Sequence, residues 1–233
     1  MYKKYIKRIL DFTLALILLL LLSPVFLIIA ILVLIFHGRP IIFTQERTGY
    51  KEETFDLYKF RSMTNEKDEN GELLPSKDRI TKFGSFLRKT SLDELPEIFN
   101  ILIGDMSFIG PRPVLVRYLK YYEDRERLRH EVKPGLTGLS QVNGRNRISW
   151  RKRFEYDVYY VENISFLLDV KIFIDTIKVV LSRKGIADVE ETKVDEFGPY
   201  ILYKGEKFRA FDKEREYEWY LEEKSRKESD NHE

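Results

Sequence analysis

The stretch Phe12–Phe36 reads FTLALILLLLLSPVFLIIAILVLIF. Its 25 residues carry no charge, and only Thr13, Ser23 and Pro24 depart from apolar side chains. About 20 apolar residues cross a bilayer as a helix, so the run is long enough to span. Ser23 and Pro24 sit almost at its midpoint. Proline withholds a backbone donor and deprives the Leu20 carbonyl of its helical partner. In hydrocarbon that carbonyl must find another donor. The Ser23 hydroxyl can reach back to the preceding turn. The halves Phe12–Leu22 and Val25–Phe36 have 11 and 12 residues. Each is about 16–18 Å long, roughly half of a ~30 Å hydrocarbon core. A hairpin that enters and leaves on one face therefore fits as well as a kinked span.

Working outward, Lys3, Lys4, Lys7 and Arg8 precede the run, and Arg39, Arg47 and Lys51 follow it. Positive charge thus favours neither end, as expected if both ends are cytoplasmic. A cleaved secretory signal fits poorly, because the run is too long and no A-x-A-like site follows. With the run set aside, 78 charged residues fall among the remaining 208. One part belongs in lipid and the rest is heavily charged. The net charge of +2 lacks the basic surplus of a nucleic-acid binder. The absence of cysteine excludes a disulfide scaffold, thiolate metal sites and a Cys nucleophile.

Ile41–Phe43 and Thr54–Phe60 read as strands around a turn at Gly49–Glu53, and Asn65–Lys77 as a polar, mobile loop. Ile80, Phe83, Phe86 and Leu87 fall at helical spacing among basic residues. A helix is expected from about Asp93 to Ile103, with Leu95, Ile98, Phe99 and Leu102 on one face. Such basic amphipathic helices suit a membrane surface. Gly104–Pro113 and Pro134–Gly144 read as loops. Val114–Leu128, Trp150–Val161 and Leu167–Leu181 read as helices. Residues 205–233 carry ten acidic and seven basic side chains, and a solvated helix is expected at Lys213–Lys227. The expected organisation is a membrane segment at 1–38, a catalytic domain at 39–186 and a charged extension at 187–233.

No G-x-G-x-x-G, P-loop, D-x-D or G-x-S-x-G is present, and His37, His130 and His232 are scattered. What stands out is Asp93–Glu94 within Ser91-Leu-Asp-Glu-Leu-Pro96. Ser91 and Glu94 match a capping box, and Pro96 suits a first helical turn. Capping and chemistry are compatible. A carboxylate at a helix start stays ionised, and backbone donors there attract phosphate. An ionised Asp can attack phosphorus to give an acyl phosphate, while a neighbouring Glu holds Mg²⁺ or takes a proton. Arg112 lies between Pro111 and Pro113, which pre-sets its backbone for a guanidinium suited to phosphate. Lys59, Arg61, Arg88 and Arg145 are further basic candidates.

These motifs together resemble the small bacterial monotopic phosphoglycosyl transferases, the initiating sugar transferases. The resemblance runs through Lys7-Arg8-x-x-Asp11, Ser23-Pro24, Gln45-Glu-Arg47, Lys59-Phe-Arg-Ser-Met63 and Ser91–Pro96. It continues through Asn100-x-x-x-Gly104-Asp-Met-Ser, Gly110-Pro-Arg-Pro113, Lys133-Pro-Gly-Leu-Thr-Gly138, Gln141, Gly144-Arg145 and Asp157, covering roughly residues 3–185. It departs at Gly38-Arg-Pro40 and in the tail beyond about Ile186.

The resemblance implies an α+β, mostly α fold. Its parts are a re-entrant membrane hairpin broken at Ser23 and Pro24, interfacial amphipathic helices and a cytoplasmic part with a small β-hairpin. It implies transfer of a sugar 1-phosphate from a UDP-sugar to undecaprenyl phosphate with release of UMP, at the cytoplasmic face of a bacterial inner membrane. That reaction starts assembly of a glycan such as capsule, O-antigen, exopolysaccharide or a protein-linked oligosaccharide. Asp93 would be the nucleophile, Glu94 its assistant, and both would hold Mg²⁺. Lys59, Arg88 and Arg112 would bind phosphate, and Arg145 the uridine end. Membrane lipid is a further implied partner, and a homo-oligomer stays open. A catalytically silent, membrane-anchored scaffold of glycan assembly is the alternative reading.

Overall fold

Helical backbone runs from Lys7 to His37 (α1) without interruption, with Pro24 inside it and one π-helical turn, Tyr2–Ile6, ahead of it. The Ser23 hydroxyl donates to the Leu20 carbonyl at 2.9 Å, supplying the hydrogen bond that Pro24 cannot make. The helix ends at Gly38, whose φ of 70° suits a residue without a Cβ. Tyr2–His37 is long and apolar enough to cross a membrane, and only 11% of its most apolar window is buried within the protein. That share is far below what a core helix of a soluble domain shows.

The computed structural model describes residues 1–144, 148, 150–182, 200–203 and 206–209. The chain is a mostly helical α+β protein that divides into two compact units. The first holds Met1–Phe108, Pro113–Val116 and Lys133–Leu136. Strands β1 (Ile42–Thr48) and β2 (Thr54–Phe60) form an antiparallel hairpin in register from Ile42 opposite Phe60 to Thr48 opposite Thr54. The expected turn at Gly49–Glu53 is there, closed by the Gly49 N–H on the Glu53 carbonyl. The first strand is longer than its apolar residues suggested, because Gln45–Thr48 pair despite their polarity. On its other edge β1 pairs antiparallel with a short strand, β4 (Val114–Leu115), which lies opposite Arg47 and Thr48.

Between the hairpin and the next long helix lies a short one, α2 (Ser76–Arg79). In the expected loop ahead of it, the Asp68 carboxylate accepts the N–H groups of Asn70 and Glu72. Helix α3 (Lys82–Lys89) follows, capped by Thr81, whose hydroxyl accepts the Gly84 N–H. Ile29 and Val33 of α1 form one buried cluster with Phe60 and Leu87, ringed by Phe26, Ile41, Phe83, Leu92 and Leu95. The apolar helix therefore supplies core as well as surface. Helix α4 (Glu97–Ile103) buries Ile98 and Ile101 but leaves Phe99 44% and Ile103 61% exposed. Of the expected stripe of Leu95, Ile98, Phe99 and Leu102, Ile98 is buried but Phe99 is exposed, since Glu97 and Asn100 turn inward.

The second unit holds Ile109–Arg112, Arg117–Val132 and the described residues from Thr137 on. The helix expected at Val114–Leu128 is not continuous. After β4 come a 3-10 segment at Val116–Tyr121, helix α5 (Asp124–Arg127) and a 3-10 turn at Leu128–Glu131. A Glu123–Glu126 capping box restarts the chain as helix at α5. The two loops expected at Gly104–Pro113 and Pro134–Gly144 contain short strands β3 (Ser107–Ile109) and β5 (Gly135–Thr137) and one turn of helix, α6 (Leu139–Val142). Helices α7 (Trp150–Glu162) and α8 (Phe166–Ser182) match expectation within a residue. Ile172 is fully buried, whereas Phe166, Leu167, Phe173, Ile174, Ile177, Val180 and Leu181 stand exposed along α8. In the tail, β6 (Tyr200–Tyr203) and β7 (Glu206–Arg209) form a hairpin that the charge pattern did not announce. The helix expected at Lys213–Lys227 lies outside the described residues.

Gly84 fixes how closely α3 approaches the chain at Ser62, two residues beyond β2. A Cβ there would fall 1.9 Å from the Ser62 carbonyl oxygen, which is backbone and cannot rotate away. Gly84→Ala is expected to destabilise the protein by about 1–3 kcal/mol, the usual range for overpacking, read as a lower thermal midpoint. An unchanged midpoint would refute the close approach.

Candidate active site

The acidic pair lies in a tight turn. Ser91 adopts a left-handed conformation (φ 55°, ψ 21°), and Leu92–Glu94 form one 3-10 turn before α4. The capping box expected from Ser91 and Glu94 does not form. Ser91 makes no side-chain cap, and its carbonyl takes the Glu94 N–H instead. The Glu94 carboxylate turns to Lys59. Pro96 stands at the helix start, as its fixed φ predicts.

Lys59 is the penultimate residue of β2 and its ammonium bridges two carboxylates. It lies 2.8 Å from Glu94 Oε1 and 3.0 Å from Glu97 Oε1. Glu97 is 2% exposed and was not singled out by its sequence context. Its signal was spacing: it stands three residues after Glu94, and the two carboxylates meet one ammonium. Reading α4 for its apolar stripe alone hid it.

Asp93 is buried, at 8% exposure. Burial pushes its carboxyl above the ordinary aspartate range, and the neighbouring Glu94 charge adds to this. Lys59, Arg88 and its own backbone N–H pull the other way without cancelling it. Arg88 is exposed on the last turn of α3. The first unit therefore gathers Asp93, Glu94, Lys59 and Arg88, with Glu97 added. Arg112 belongs to the second unit, half-buried between its prolines, with its carbonyl held by Arg129 at 2.8 Å. Arg145 lies outside the described residues. Among the basic candidates, Arg61 is structural: its guanidinium donates to the carbonyls of Arg39 and Met63.

Chemically, this is a buried carboxylate beside a second one, faced by an ammonium and a guanidinium. A carboxylate in that setting is a nucleophile once ionised, and the cations suit phosphate oxygens. Residues 2–183 match the family model described as bacterial sugar transferase, and the chain belongs to that family. It is thus an enzyme of the sugar transferase class. It is 47% identical over 192 residues to EpsL of Bacillus subtilis, an uncharacterized sugar transferase, a match covering 82% of this chain and 95% of that one. It is 41% identical over 186 residues to a UDP-glucose:undecaprenyl-phosphate glucose-1-phosphate transferase of Klebsiella pneumoniae, covering 73% of this chain and 39% of the relative. An undecaprenyl-phosphate galactose phosphotransferase of Salmonella typhimurium is 39% identical over 199 residues, covering 78% of this chain and 42% of the relative. The chain thus spans about two-fifths of the longer relatives it matches.

A raised Asp93 pKa has a defined sign for stability. The folded chain holds that proton more tightly than the unfolded chain, so stability falls as pH rises from the ordinary aspartate value through the folded one. At neutral pH the ionised carboxylate costs folding free energy. Asp93→Asn is therefore expected to raise the thermal midpoint of metal-free protein at pH 7. The gain over wild type should disappear in acid, where Asp93 is protonated; an equal gain at both pH values would overturn the assignment.

Proposed function

We propose that this enzyme transfers a sugar 1-phosphate from a UDP-sugar to undecaprenyl phosphate, releases UMP and thereby starts a bacterial glycan. The observation that carries the reading is Asp93: a buried carboxylate, destabilised in its ionised form, flanked by Glu94 and faced by Lys59 and Arg88. The name of the Klebsiella relative supports the UDP-sugar donor, and those of the Klebsiella and Salmonella relatives the undecaprenyl-phosphate acceptor.

The reaction runs in two displacements at one phosphorus. The Asp93 carboxylate oxygen attacks the sugar-bearing phosphorus of the donor. The bond from that phosphorus to the bridging oxygen breaks, and UMP leaves with the electron pair. An oxygen of undecaprenyl phosphate then attacks the aspartyl-bound phosphorus, breaking the bond to Asp93 and restoring the carboxylate. A covalent relay lets a water-soluble donor and a lipid acceptor use one site in turn. Lys59, Arg88 and Arg112 neutralise phosphate oxygens, and Arg145 takes the uridine end.

Asp93 and Glu94 fit a Mg²⁺ ion. Burial first and the adjacent Glu94 carboxylate second raise the Asp93 pKa, and a cation would relieve the repulsion between the two. Mg²⁺ takes one or two carboxylates and completes its shell with water and substrate phosphates, so this pair would suffice. Bound there, the ion would stabilise negative charge on the diphosphate.

Residues 1–38 form the membrane segment in this reading, 39–186 the catalytic part and 187–233 an extension. The membrane segment is re-entrant, and both of its ends face the cytoplasm. Two contacts of α1 support this. Arg8, before Pro24, donates to the carbonyls of Ile101 and Leu102 at 2.6 and 2.8 Å. Phe26, after Pro24, meets Phe99 edge-on at 5.7 Å between ring centres. Residues 18 apart would lie about 27 Å apart on a straight helix, yet both reach one seven-residue helix. A bend at Pro24 explains this economically.

Full-length enzyme given labelled UDP-sugar, undecaprenyl phosphate and Mg²⁺ should yield labelled lipid and UMP, with Asp93→Asn inactive. Complementation of glycan synthesis by that variant would favour the scaffold reading. The chain has no cysteine, so single cysteines at Lys4 and Arg39 report topology cleanly. Neither should react with an impermeant reagent outside intact cells; labelling of either would overturn the re-entrant arrangement.

A further inference from the structure

Pro111 and Pro113 restrict the backbone around Arg112 but contribute no N–H, so the Pro-Arg-Pro segment has one donor in three residues. An anchor from outside the segment is present. The Arg112 carbonyl accepts Nη2 of Arg129 at 2.8 Å. Arg129 is 2% exposed, and its Nη1 donates to the Tyr122 hydroxyl at 3.4 Å. Nε and Nη2 donate to Asp157 Oδ2 at 3.1 and 2.7 Å. The guanidinium carbon lies 5.7 Å from the ring centre of Phe154 and 6.0 Å from that of Tyr122. Asp157 is 1% exposed, and its other oxygen accepts the Ser140 hydroxyl at 2.9 Å. A chain of buried hydrogen bonds thus runs from Ser140 through Asp157 and Arg129 to the Arg112 backbone.

We infer that Arg129, held by Asp157, is a positioning residue for Arg112: it sets the backbone from which Arg112 presents its guanidinium to the donor's phosphates. The inference rests on the phosphate role proposed for Arg112. Burying an ion pair is not in itself a route to stability, because desolvation offsets the Coulomb attraction. A purely structural pair could close on itself, whereas here a donor is spent on the Pro-Arg-Pro segment. Only a guanidinium suits the position. Its planar fork serves Asp157 and the carbonyl together, while an ammonium is a point charge.

Displacing a substrate-positioning group by about 1 Å can cost about 100-fold in rate. The test is a double-mutant cycle on full-length enzyme, reading kcat/KM for the UDP-sugar. Arg112→Ala should lower it about 100-fold and Arg129→Lys about tenfold, mainly through KM. In the Arg112→Ala background Arg129→Lys should then cost little more, because the group it positions is gone. If Arg129→Lys costs the same factor in both backgrounds, the positioning role is wrong. If Arg112→Ala alone leaves kcat/KM unchanged, the phosphate role of Arg112 has failed instead. Should Arg129→Lys not fold, judged by lost near-ultraviolet dichroism, Asp157→Asn replaces it in the same cycle with the same two outcomes.

Discussion

The side-chain amide of Asn100 holds α4 against the outer edge of β2, and the acidic site follows from that contact. Its nitrogen donates to the Asp56 carbonyl at 2.7 Å and its oxygen accepts the Tyr58 N–H at 3.1 Å. The amide thus acts as one rung of a strand that is not there, on the strand that ends the β2-β1-β4 sheet. Asn100 is fully buried, and its own carbonyl accepts the N–H groups of Gly104, Asp105 and Met106 beyond the helix. An apolar side chain there would orphan a donor and an acceptor, at about 1–3 kcal/mol each. Lys59 is the next residue along that strand, and the clamp delivers its ammonium to Glu94 and Glu97.

What the sequence revealed follows from how far each signal reaches. The apolar helix was legible because 25 uncharged residues admit little else. Its repair at Leu20 was legible too, because proline chemistry is local and a serine stood beside it. The hairpin, α7 and α8 were readable from their periodicity. The capping box failed because it is a local rule that lost to a distant partner: Lys59, 35 residues earlier, claimed the Glu94 side chain. The continuous helix at Val114–Leu128 failed for a similar reason. Val114 and Leu115 pair with β1, which removes them from any helix.

Glu97, Arg129 and Asn100 share the reason they were hard to see. Each is a polar residue buried by contacts far away in sequence, and composition gives such residues to the surface by default. Asp157 entered only as one matching position among many. Its oxygens are both satisfied, by Arg129 and Ser140, and Tyr122 beside them is pushed up to about 12 by burial. These networks are satisfied within the fold, so they read as structure until one asks which backbone they hold.

The electrostatics of the acidic site carry one more consequence. Asp93, Glu94 and Glu97 face Lys59 and Arg88, so the cluster is one charge short of neutral with every group ionised. A diphosphate approaching alone would meet that surplus, beside an Asp93 already raised by burial and by Glu94. On the proposed reading, a divalent cation reverses the local sign, lowers the cost of ionising Asp93 and makes the diphosphate welcome. On that reading the same surplus would disfavour ionised Asp93 without the cation, and burial sharpens this because charges interact more strongly away from water. Glu97 then has a place in the logic. By sharing Lys59 with Glu94 it would keep the ammonium in position, on that reading, were Glu94 to hold the cation.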